Sequence, residues 1–257
     1  SGTVLNLLNL FFGLGGLATP FIAANLLKGN ATRLCYLTAV LTAVTLAVNG
    51  ATTMPGPSGA KSFVASDVST LLGSPALWLL ALFLFLYVSC EVGVWNWLVQ
   101  HLIAQGIPES RALNVLSLGF ALGLLVGRVA IAPVLISVSA LTVTLGAAIA
   151  MLVTTYLMLQ ARSATMAWVL VFIAGLSMAP VFPTTLAIAS DTFPKALTGT
   201  ALGIVITFGW IGLAVSSRVI GSIGGGDPKR LKKALLILPA MAAMMIVVNL
   251  ALHAVAK

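Results

Sequence analysis

One carboxylate of this chain lies deep inside an apolar stretch. Glu91 sits about sixteen residues into a run that starts at Pro75, within the segment Tyr87-Val-Ser-Cys-Glu-Val-Gly-Val-Trp-Asn-Trp97. An ionisable group at membrane depth costs roughly 2.5–3.5 kcal/mol or more unless it is paired or hydrated, so such groups mark substrate or proton paths by default. The competing reading is a glutamate that hydrogen-bonds neighbouring helices permanently. At about 100° per residue, Tyr87, Glu91 and Trp95 share one helix face, while Asn96 and Gln100 share another. A regular helix cannot aim both sets at one cavity. Either Gly93 permits an irregular turn that re-aims Asn96, Trp97 and Gln100, or these residues and His101 mark the membrane interface. Amides and aromatics on apolar walls suit hydroxyl-rich ligands.

Two further constellations carry polar chemistry. The run Pro180-Val-Phe-Pro183-Thr184-Thr185 interrupts a span, and proline there frees backbone groups that neighbours or a cavity must satisfy. Pro180, Pro183 and Thr184 therefore mark a kink, either lining a cavity or simply packed. Arg128 and Asp191, each read at the end of a span, are candidates for an interfacial gating ion pair; a snorkelling arginine and an unpartnered aspartate are the alternative. There is no Ser/His/Asp set, no metal-ligand spacing, no phosphate-cradling glycine loop and no carboxylate pair, and His101 and His253 stand alone. The sequence offers no enzyme, cofactor or metal site. Cys35 and Cys90 lie within apolar runs and read as buried small hydrophobes.

The elements that must hold these residues follow from composition. Of 257 residues 60% are hydrophobic and only 7% charged, against roughly 25% charged in soluble domains. Lipid must be the solvent. Apolar runs fall at about 4–27, 34–54, 75–104, 110–135, 138–160, 165–190, 196–222 and 231–255, and at ~1.5 Å per residue each can cross a core about 30 Å thick. The expected class is all-α, a multi-pass bundle of about eight transmembrane helices. Transmembrane β-strands would be about half as long and would alternate in polarity. Residues 52–74, rich in Pro, Gly and Ser, read as a linker between two bundles, one ending at residue 51 and one spanning 75–257. Gly119, Gly123 and Gly127 put small residues on one helix face for close packing. The net charge of +8 sits mainly at the ends of runs, where Lys and Arg meet headgroups. The cluster Lys229-Arg-Leu-Lys-Lys233 reads as a lipid-phosphate contact. Nothing resembles a nucleic-acid-binding tract. Asn30-Ala-Thr32 matches a glycosylation sequon by chance.

The stretch from Phe85 to Leu102, followed by Asn114 to Arg128, resembles the seventh and eighth helices of the major facilitator superfamily, nearest its fucose permease-like, sugar-transporting branch. Gly175 to Pro194 resembles the tenth helix of that group, Gly199 to Gly212 its eleventh, and Leu5 to Pro20 its fifth. The resemblance implies a fragment holding helices five to twelve, without the first four, with 52–74 as the cytoplasmic linker. It implies alternating access about a midplane site in a cell (inner or plasma) membrane, with a small polar solute, a sugar, and H+ as partners besides lipid, and a monomer when full length. Glu91 matches the family's seventh-helix glutamate. Trp95-Asn96 stands where small residues are commoner, implying a narrower cavity. The family topology places Lys28, Arg33, Arg111, Arg162 and the 229–233 cluster outside, and Lys61, Arg128, Lys195 and Lys257 inside, against the positive-inside rule. An efflux carrier for amphipathic compounds and a non-transporting membrane subunit are the alternatives.

Overall fold

A computed structural model describes residues 2–28, 30–53, 65–224 and 226–255, and every regular element among them is helical. Helix α1 runs from Gly2 to Phe21 and continues through a π-helical turn, Ile22–Leu26. Then come α2 (Ala31–Ala51), the short α3 (Ala65–Leu72) and the 30-residue α4 (Pro75–Ala104). The next span joins α5 (Glu109–Asn114), a π-helical stretch Val115–Ala121 and α6 (Leu122–Ser137). It is followed by α7 (Ala140–Met158), the broken pair α8 (Ala164–Met178) and α9 (Val181–Thr192), α10 (Thr198–Gly224), α11 (Pro228–Leu235) and α12 (Ile237–Val255).

Among the described residues seven helical segments are long and apolar enough to cross a membrane. Their bounds follow the apolar runs of the sequence closely. The first run, read as an eighth span, is helical from Gly2 to Leu26, with Gly13–Leu26 forming a shorter apolar helix. Boundaries have local causes. Asn30 accepts the Arg33 N–H at 3.0 Å and caps α2, which gives the apparent sequon a structural role. Ser139 and Ser163 cap α7 and α8 in the same way, satisfying N–H groups that the helix leaves free. Of the segment 52–74, residues 54–64 lie outside the described residues, and Ala65–Leu72 is helical.

Helix α4 is the axis of the bundle, packed between α10 and α12, with α7 behind α12. Close approach is bought with glycine. A Cβ at Gly123 would collide with Phe172 O, one at Gly127 would come 2.5 Å from Ala179 Cβ, and one at Gly175 would strike Phe120 O. The stripe Gly119-Gly123-Gly127 thus seats the α5–α6 span directly on the α8 backbone. Gly93 does related work against α12: its Cβ would lie 2.5 Å from Leu238 Cδ2. No irregular turn occurs there, and α4 stays α-helical throughout; the expectation that Gly93 re-aims its neighbours is corrected by this packing role. Cys90 is buried, but Cys35 is exposed on α2, contrary to the reading of both as buried.

Polar side chains inside the bundle are mostly satisfied locally. Asn249 of α12 donates to Thr144 Oγ1 of α7 at 2.8 Å, with both residues fully buried. Interhelical bonds of this kind contribute on average ≈ 0.6 kcal/mol in membranes. Thr144→Val is expected to lower the unfolding midpoint in detergent by a few degrees, about 1 kcal/mol of stability. An unchanged midpoint would show that the bond is neutral.

Candidate functional site

Glu91 lies near the middle of α4 and is 8% exposed. It lines a cavity of about 380 Å³ together with Val88, Val92, Trp95, Arg128, Phe182 and residues of α10. That volume falls within the roughly 300–1,000 Å³ range typical of small-molecule sites. The wall carries one carboxylate and one guanidinium in otherwise apolar, aromatic surroundings.

Geometry explains why these two charges converge. The α4 and α5–α6 spans are joined by a short connection, and Arg128 stands about six residues, ~9 Å, farther from it than Glu91 does. Side chains lean toward the N-terminus of their own helix. On antiparallel spans Glu91 therefore leans away from the connection and Arg128 leans toward it, which brings both side chains to the wall of one cavity. Tyr87, one turn before Glu91, is fully buried and within electrostatic reach of both Glu91 and Arg128. Among the described residues its hydroxyl has the Glu91 carboxylate within reach but forms no hydrogen bond of ordinary geometry. Trp95, one turn after, directs its indole N–H toward Glu91 Oε1 at 3.4 Å. The Trp95 ring is fixed edge-on against Phe120 at 5.2 Å, and Gly16 of α1 leaves room for it, since a Cβ there would come 3.0 Å from the ring. Phe120 belongs to the π-helical stretch, whose Ser117 Oγ donates to Leu17 O of α1 at 2.6 Å.

The second face of α4 goes elsewhere. Asn96, Trp97 and Gln100 line a separate cleft beside Gly224, Asp227 and Leu231. Asn96 donates to Ser217 Oγ at 2.7 Å, tying α4 to α10. These three residues do not join Glu91, because an unbroken helix keeps the two faces apart. The proline run divides α8 from α9: Pro180 ends the break and its carbonyl accepts the Thr184 N–H at 3.1 Å. Pro180, Pro183 and Thr184 are buried, and the member of the run that reaches the cavity wall is Phe182.

The structure does not bring Arg128 and Asp191 together. Arg128 is 3% exposed in the wall beside Glu91, nine residues before its helix ends, whereas Asp191 is exposed at the end of α9. The ion pair found between described residues joins Arg230 Nε to Asp227 Oδ2 at 3.6 Å. Arg128, read from sequence at a span end, lines the Glu91 cavity instead. Buried in the bundle, it also drops out of any count of interfacial charges, while Lys61 and Lys257 lie outside the described residues.

Sequence reasoning passed over the far wall: Ile206, Gly209, Trp210 and Leu213 of α10. The signal was present as an i, i+3, i+4, i+7 stripe with a glycine in it. A Cβ at Gly209 would sit 3.2 Å from Val88 Cγ2, so the glycine lets α10 close on α4. Trp210 is 59% exposed, and the cavity opens outward past it.

The comparisons with known proteins agree with this architecture. The family model described as Major Facilitator Superfamily matches residues 1–217. The curated Saccharomyces cerevisiae protein named "Bypass of stop codon protein 6" is 26% identical over 171 residues, covering 60% of this chain and 33% of the yeast protein. The crystal structure of a Major Facilitator Superfamily transporter, FucP, in the outward conformation superposes with a TM-score of 0.66 at 17% identity, over 86% of this chain and 54% of FucP. The chain spans about one third of the yeast relative's length and about half of FucP's. With the family model covering most of the chain, and the fold shared with a solved member, this protein belongs to the Major Facilitator Superfamily.

Proposed function

We propose that the chain forms part of a secondary transporter in which the Glu91 cavity is one wall of the substrate site. On this reading residues 1–51 supply the last two helices of a first bundle, 52–74 connect the bundles, and 75–257 form the second. The two bundles rock about the site in alternating access. The observation that carries the reading is that Glu91 and Arg128, both buried, line one aromatic cavity of small-molecule size.

A carboxyl that can take and release a proton beside a fixed cation couples solute to H+ when the solute's hydroxyls replace its other partners. Trp95, Phe182 and Trp210 offer flat faces of the kind that stack on a sugar ring or on any amphipathic plane. A small polar solute, a sugar in the first instance, moved together with H+ is the function preferred here. The same wall favours a second reading. Asn96 and Gln100 point away from it, leaving few hydrogen-bond donors and acceptors, which suits the efflux of amphipathic compounds.

The test uses the purified transporter in proteoliposomes with a trapped pH dye and a panel of hexoses, deoxyhexoses and polyols. A lumenal pH change on adding one of them supports sugar–H+ symport. Silence across the panel, with counterflow of an amphipathic dye in the same vesicles, transfers the assignment to efflux.

A further inference from the structure

A second charged cleft lies at the membrane face where α4, α7 and α10 end. It is a cavity of about 500 Å³ lined by Lys229, Lys232 and Lys233 of α11, with Tyr156, Gln160 and His101 contributed by α7, its C-terminal connection and α4. The helix that presents the lysines is firmly seated. Asp227 accepts the Lys229 N–H at 2.8 Å and caps α11, and Pro228 occupies its first position. Leu231, Ala234 and Leu235 are buried. These apolar residues recur at i, i+3 and i+4 on one side, and Lys229, Lys232 and Lys233 repeat the same spacing on the other. Burial of the apolar face therefore turns all three lysines into the cleft.

Cross-links fix the arrangement further. Lys232 Nζ donates to Gln160 Oε1 at 3.0 Å, and Gln105 Nε2 lies 2.7 Å from Nε2 of the buried His101. Among the described residues no carboxylate lines the cleft. The nearest acid in sequence, Asp227, caps α11 and pairs with Arg230, and it lines the neighbouring cleft instead. Three ammonium groups on one face repel one another unless an anion sits among them. The rim is apolar and outward-facing: Leu236 is 41% exposed, and Tyr156 is half exposed at the α7 end. Tyrosine at such a level typically sits among headgroups.

We propose that this cleft binds a phosphate-bearing anion, held by Lys229, Lys232 and Lys233. The outward apolar rim makes an anionic phospholipid headgroup the first source to test and inorganic phosphate the second. Each lysine near an anionic surface contributes about a fivefold gain in affinity, so removing three costs roughly a hundredfold.

The test measures lipid retained on the purified transporter by native mass spectrometry. The protein is reconstituted in nanodiscs of phosphatidylcholine with or without phosphatidylglycerol, and inorganic phosphate is added in a separate arm. The triple variant Lys229→Gln/Lys232→Gln/Lys233→Gln is compared with Arg230→Gln, which removes a neighbouring charge outside the cleft. Retention of phosphatidylglycerol by the wild type and Arg230→Gln, lost in the triple variant, supports a lipid site. Protection against thermal unfolding by phosphate in pure phosphatidylcholine, lost in the same variant, supports the site with a free anion as its source. Equal retention and equal protection in the wild type and the triple variant would overturn the proposal. Circular dichroism and size-exclusion profiles confirm that both variants are folded.

Discussion

Glu91→Gln is expected to reduce ΔpH-driven solute uptake by roughly a hundredfold, about 2.7 kcal/mol, while the protein still inserts and folds. The amide keeps the shape of the carboxyl but cannot carry the proton, and it leaves the buried Arg128 without the carboxylate beside it. The amide also takes one charge out of the cavity wall that Glu91 shares with Arg128, so a change in melting temperature is expected beside the loss of coupling. Two measurements separate these effects. Counterflow, which exchanges solute without net proton movement, should persist in Glu91→Gln, whereas net uptake against a gradient should vanish. Unchanged ΔpH dependence of uptake would remove Glu91 from the coupling role and return it to a helix-bridging one.

The second large effect is structural and lies away from the cavity. Gly123→Ala and Gly175→Ala should each destabilise the protein by about 2–4 kcal/mol, seen as an early melting transition and a loss of monodisperse material. Each added methyl would meet backbone, Phe172 O in one case and Phe120 O in the other, and backbone cannot step aside as a side-chain tip can. Gly146→Ala is the internal control. Nothing lies within 4 Å of a Cβ there, so helix propensity alone operates and predicts a gain of up to about 1 kcal/mol. Equal melting of all three variants would mean that the α6–α8 contact is more yielding than its geometry indicates.

The fold was legible in sequence because it is written in hydropathy, which long apolar runs state redundantly. The Glu91 face was legible for a similar reason: Tyr87, Glu91 and Trp95 are four residues apart on a helix that stays regular. What failed needed the third dimension. Arg128 looked terminal because a charged residue after glycine reads as a span end, yet the helix continues to Ser137. Its partnership with Asp191 was inferred from two apparent ends that are not at one level. Gly93 was read as a weakness in the helix, although its missing side chain answers to Leu238 on a different helix. Ile206, Trp210 and Leu213 escaped notice because an apolar residue in an apolar span carries no mark of whether it faces lipid, a neighbour or a cavity. Only the relative rotation of the helices decides that.

Helix α2 has a consequence for how the chain enters the bilayer. No residue of α2 is buried, and four of its polar side chains are turned back on their own backbone: Thr38, Thr42, Thr45 and Asn49 each donate to the carbonyl four residues earlier, at 2.8–2.9 Å. Such a helix brings its hydrogen-bond partners with it. Its partition into lipid is then expected to follow from its own 21 residues, without help from the α4–α12 bundle. Substitutions along α2 should register in the efficiency of translocon release, in a cell-free insertion assay, and leave the melting of the α4–α12 bundle where it was.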